Sequence, residues 1–239
     1  MEIAKTREVA TQELIGAMRL QWWRDTLDGV FAGEPRRHPV ATLLARAIAQ
    51  HSLDRALFDR LLDAREGDLS DEAAATLADL TDYARDTSVP LVRLALAILD
   101  VHAPAAHEAA EPVGIAWALT GLIRAVPFHA RQRLIRLPRD LLDQSGVSAR
   151  ALFAGRGQPQ LNAAVRQVAE AAERQLAEAR RRRSEVPRAA LPALLSATLA
   201  SGYLALLRRG GYDPFDRRLA ASLPFRAWRL LAAQTTGHW

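Results

Sequence analysis

The chain is predicted to be all-α, on three observations. Helical signals recur from end to end, no segment shows the alternation of a strand, and Pro, Gly or Ser punctuates each join. Glu2 to Phe31 reads as a first helix ending at Gly33, followed by Pro39 to Gln50 and by Asp54 to Arg65 before Gly67. Ser70 or Asp71 is suited to cap a helix running to Asp86, and Pro90 to open the next one. Glu111 to Val126 forms the central segment, and Val113 to Ile123 is uncharged all round, as a helix inside a bundle should be. Pro138 opens a short helix closed near Gly146, and Ser148 caps another. Gln160 to Val186 is long and charged until Pro187 stops it, and Leu191 to Arg208 is strongly apolar until Gly210 and Gly211. The remaining stretch reads as two short helices divided by Pro224.

Composition narrows the class without naming a function. The chain of 239 residues can bury a sizeable core, and nothing in it demands more than the single domain 1–239. Its 49% hydrophobic and 25% charged content are those of a soluble globular protein, and no charge-free run approaches the ~20 residues of a membrane span. No transmembrane helix and no signal peptide are expected. With no cysteine, disulfide and thiolate chemistry are excluded. The net charge is +5, and Lys5 is the lone lysine among 32 basic residues. That excess favours encounter with acidic surfaces and carries no information about fold. The six histidines have no zinc-ligand spacing, and no phosphate loop, nucleophile elbow or nucleic-acid module is present, so nucleic acid is not an expected partner.

The specific signal lies in Gly114 to Leu142. Gly114, Ala116, Leu119, Thr120, Arg124, Val126, Ala130, Ile135, Leu137, Pro138, Asp140 and Leu142 fit, without a gap, the pattern G-x-A-x-Q-L-T-N-I-L-R-D-V-G-E-D-A-x-R-G-R-I-Y-L-P-x-D-x-L. This stretch resembles the second aspartate-rich segment of the squalene/phytoene synthase family. The match extends through Leu20 to Pro35, Phe58 to Leu69 and Tyr83. The resemblance implies an isoprenoid-synthase-like helical bundle, shortened at its N-terminus.

The acids of the pattern are missing. Where the family has its D-x-x-E-D run, this chain has Ala125, Phe128 and His129, and Ala118 and Gly121 replace its Gln and Asn. Residues 118, 121, 125 and 129 are three and four apart, so a helix presents them on one face. Magnesium needs hard oxygen ligands, which neither a methyl group nor an imidazole replaces. The first aspartate-rich motif is expected over Ala4 to Glu8, where Glu8 is the only weak metal candidate. No catalytic residue and no cofactor are therefore expected, with Mg2+ required only by a catalytic alternative. Relocated acids at Asp59 and Asp63, or at Asp79, Asp82 and Asp86, have spacings that could hold a metal but read more simply as a solvated acidic face.

What the resemblance implies about a pocket is Tyr83 and Arg124 lining it, with Arg131 and Arg133 near phosphate. Val89 stands where the family has a glycine and is expected to narrow a groove for a prenyl tail. The segments Arg19 to Asp25 and Leu122 to Gln132 look most like the branch that contains the mitochondrial complex I assembly factor and its bacterial relatives. That branch implies a non-catalytic assembly factor or scaffold, cytoplasmic or peripheral at the inner face of the membrane. Its partner would be a membrane protein or respiratory complex. The alternatives are a head-to-head prenyltransferase and an isoprenoid- or lipid-binding protein. Arg180 to Arg183 reads as a partly self-paired face, and Phe225, Trp228, Leu230, Leu231 and Trp239 as bundle packing in preference to a membrane-interfacial helix.

Overall fold

A computed structural model describes residues 13–239, and every α-helix, 3-10 turn and connection among them is consistent with an all-α chain, with no strand found among these residues. The twelve α-helices among the described residues are α1 (Glu13–Phe31), α2 (Pro39–His51), α3 (Arg55–Glu66), α4 (Leu77–Ile98), α5 (Pro104–Arg131), α6 (Arg139–Gln144), α7 (Ala149–Phe153), α8 (Pro159–Arg181), α9 (Leu191–Leu194), α10 (Ser196–Arg209), α11 (Arg217–Ala220) and α12 (Arg226–Thr236). The helix expected from Glu2 is described only from Glu13, and Glu8 lies outside the described residues.

Helix α5 is the axis of the bundle, packed by α4 and α8 and, less extensively, by α10. Its length and composition alone would suit a membrane span. Its Ile115, Leu119 and Ile123 are buried in a core shared with Val168, Leu176, Leu194 and Leu204. A smaller apolar cluster joins α1 to α3 through Leu20, Trp23, Leu27, Ile48, Phe58 and Leu62. Leu94 of α4 belongs to that cluster while Val89, Val92 and Leu96 belong to the larger one, so α4 ties the two together.

Three boundaries differ from the sequence reading, two of them at prolines. Helix α4 starts at Leu77, not at Ser70 or Asp71, and continues through Pro90. Its start is a capping box: the Thr76 hydroxyl accepts from the Asp79 backbone N–H while the Asp79 carboxylate accepts from that of Thr76. The stretch before it is held open from outside. Arg136 donates to the carbonyls of Asp68, Ser70 and Glu72, and the backbone N–H groups of Arg139 and Asp140 donate to Ala74 and Ala75. Pro90 removes one helical donor, but Val89, Pro90 and Val92 are all buried, and that burial carries the helix past it. Likewise α5 begins at Pro104, not Glu111, and passes through Pro112 because Ala105, Ala106, Ala109 and Ala110 are buried in the core.

The remaining differences are smaller. Helix α8 ends at Arg181, five residues before Val186 in the expected span, because Pro187 forces Val186 to be extended. The apolar run from Leu191 breaks at Leu195, where the axis bends by 46°. Trp239 packs inside as expected, but Phe225, Trp228 and Leu231 are exposed, which corrects the packing assignment for α12.

Candidate functional site

The face formed by Ala118, Gly121, Ala125 and His129 opens toward solvent along α5. Ala118 is half-buried against the core, a Cβ on Gly121 would meet nothing within 4 Å, and Ala125 and His129 line a cavity of about 210 Å³. Arg65, Asp68, Tyr83, Phe128 and Arg136 line the same cavity.

The polar wall is a closed network. The Tyr83 hydroxyl donates to Asp68 Oδ1 at 2.7 Å, and Arg65 Nη1 donates to Asp68 Oδ2 at 2.8 Å and to the Tyr83 oxygen at 3.1 Å. Burial, and then the Asp68 charge, raise the Tyr83 pKa, so the phenol stays protonated and keeps donating. Burial and then the Arg136 cation lower the His129 pKa, with Asp68 opposing, so the imidazole is neutral at physiological pH. Its Nδ1 is buried without a hydrogen-bond partner.

This donor set does not fit a magnesium–diphosphate site. Asp68 is the only carboxylate among the described residues lining the cavity, and both of its oxygens are already engaged. Among the described residues no three His, Asp or Glu side chains converge as metal ligands do. The acids considered as replacements have other partners: Asp59 pairs with Arg55, Asp63 with Arg24, Asp82 with Arg85 and Asp86 with Arg60, while Asp79 caps α4.

Of the pocket residues expected from the sequence, only Tyr83 lines this cavity. Arg124 points elsewhere, its guanidinium 3.7 Å from the centre of the Tyr203 ring and its Nε donating to the Leu219 carbonyl. Arg131 donates back to Pro127 at the helix end, and Arg133 is exposed in a left-handed conformation with φ 56°. The arginines that do face the cavity are Arg65 and Arg136. Sequence reasoning missed both, although one signal was available: Arg136 occupies the tyrosine position of the quoted pattern, and Gln132 and Leu134 occupy two of its arginine positions.

Val89 does more than narrow a groove. A Cβ on Gly114 would lie 3.0 Å from Val89 Cα and Cγ2, so α4 and α5 touch at backbone distance there. Val89 is 1% exposed and fills that crossing.

Comparison with known proteins places these features. The squalene/phytoene synthase family profile matches residues 1–229. The chain is 31% identical over 236 residues to the rat protein named NADH dehydrogenase (ubiquinone) complex I, assembly factor 6, spanning 96% of this chain and 71% of that protein. The phytoene synthase of Cereibacter sphaeroides is 26% identical over 197 residues, which is 82% of this chain and 56% of the enzyme. Among solved structures, squalene synthase HpnC from Alicyclobacillus acidocaldarius superposes with a TM-score of 0.77 at 25% identity, covering 88% of this chain and 80% of that one.

Proposed function

The chain belongs to the squalene/phytoene synthase family and has its isoprenoid-synthase helical fold, and from that premise we propose a non-catalytic member acting as an assembly factor for respiratory complex I. One observation carries the reading. The α5 face that would aim metal ligands at a diphosphate presents Ala118, Gly121, Ala125 and His129. Without a metal clamp the developing charge on a departing diphosphate loses its main electrostatic stabilisation on that face. Assembly factor 6 proteins of rat and mouse are 31% and 30% identical over nearly the whole chain, which supports the partner class.

The space behind Ala125 and His129 is about 210 Å³, and a second cavity of about 210 Å³ shares Tyr83, Leu122 and Arg136 with it, so each alone is below the ~300–1,000 Å³ typical of small-molecule pockets. The packing of Val89 on Gly114 brings those two helices to backbone contact at that point, which supports the narrowing of a groove there. The protein then needs no magnesium and works from the cytoplasmic face of the membrane that holds the complex. Disrupting the gene in its host and resolving respiratory complexes on native gels tests this. Assembled NADH dehydrogenase should fall several-fold and return on complementation; unchanged levels would refute the assembly role.

A further inference from the structure

The last helix carries a surface that neither the cavity nor the bundle explains. Phe225, Trp228 and Leu231 are 77%, 70% and 52% exposed, whereas Ala233 on the same element is 2% exposed and faces the core. Trp228 and Leu231, three apart, share one side of α12, and Phe225 precedes them as the helix N-cap in a left-handed conformation with φ 54°. The charge around them has one sign. From Arg217 to Trp239 the sequence has four arginines and neither Asp nor Glu. Arg218 is paired with Asp216, while Arg217, Arg226 and Arg229 are exposed.

We propose that α12 is a membrane-docking surface, with Phe225, Trp228 and Leu231 inserted at the interface of an anionic bilayer and Arg226 and Arg229 against its phosphates. The occupant must be apolar and anionic within one short helix, and an anionic lipid surface supplies both at different depths. Tryptophan and phenylalanine partition to that boundary, and arginine is drawn to its negative surface potential. The inference deepens the assembly reading by supplying the means of reaching a membrane complex.

Flotation of the full-length protein with vesicles of phosphatidylcholine, with or without phosphatidylglycerol, tests it. Binding is expected only with the anionic lipid, and it should weaken as salt rises. The combined change Phe225→Ala, Trp228→Ala and Leu231→Ala should abolish binding while leaving the helical circular dichroism intact. Arg226→Glu and Arg229→Glu, at exposed positions, should each weaken binding about fivefold or more. No binding to either vesicle, or binding that survives both sets of changes, overturns the proposal. So does a wild-type self-association that the triple variant abolishes while vesicles remain unbound. The two readings fail separately: vesicle binding with undisturbed complex assembly in the disrupted host would sink the assembly role alone, and lost assembly without vesicle binding would sink this one alone.

Discussion

Asp68 illustrates how a carboxylate can sit in a family cavity and still be unfit for metal work. Its two oxygens are taken by Tyr83 and Arg65, and its own backbone carbonyl accepts from Arg136. Tyr83→Phe removes one of the donors to this partly buried carboxylate, which should cost about 1–3 kcal/mol in urea unfolding. A change below a few tenths would mean that the network contributes nothing to stability. His129 gives a pH prediction. Its folded-state pKa is lowered, first by burial and then by Arg136, so the unfolded chain takes up the proton first. Its contribution is fully present above the unfolded value of about 6.5 and is lost as the pH falls through the lower folded value. The urea midpoint should therefore drop between about pH 7 and pH 5, and His129→Gln should make that drop smaller.

At the scale of elements, proline misled and capping informed. Pro90 reads as a first-turn residue because the missing N–H costs nothing there, and the central helix, which contains Pro112, reads only from Glu111. Both prolines lie inside helices whose neighbouring side chains are buried, and packing outweighed the lost hydrogen bond. The capping box at Thr76 and Asp79 was present in the sequence, but Ser70 and Asp71 competed with it, and only the clamp of Arg136 on the 68–72 carbonyls shows why they lose. Thr76→Ala should cost about 1 kcal/mol in unfolding free energy. The α4–α5 crossing is a stricter test: Gly114→Ala must displace Val89 backbone atoms 3.0 and 3.1 Å away. A loss of about 1–3 kcal/mol is expected, and a neutral result would show that the two helices can separate without cost.

For the whole molecule, the question is whether a bundle with the squalene/phytoene synthase fold carries out catalysis. Incubation with labelled farnesyl and geranylgeranyl diphosphate and magnesium should give no condensed product. Any metal-dependent turnover would sink the non-catalytic reading. Ala125→Asp together with His129→Asp returns acids to the cavity wall, and any gain in diphosphate binding then measures how much of the pocket survives. Legibility followed the range of the interactions. The all-α class, most helix positions and the loss of acids from the α5 face were readable, since each depends on spacing along one segment. The cavity wall was not. Tyr83 was found through the family pattern, but Arg65 and Arg136 come from segments about seventy residues apart in the chain and meet only through the fold.

The sequence by itself determined the helical class, the family and the replacement of metal-facing acids by Ala125 and His129, because residue identity and local periodicity are enough for each. Tertiary structure decided three other things: that Asp68 is already occupied, that Val89 and Gly114 close the space between α4 and α5, and that Phe225, Trp228 and Leu231 face outward. The physical reason is common to them. Whether a carboxylate is available, a groove is open or an apolar side chain is covered depends on which distant segment packs against it, and periodicity along one helix cannot specify that partner.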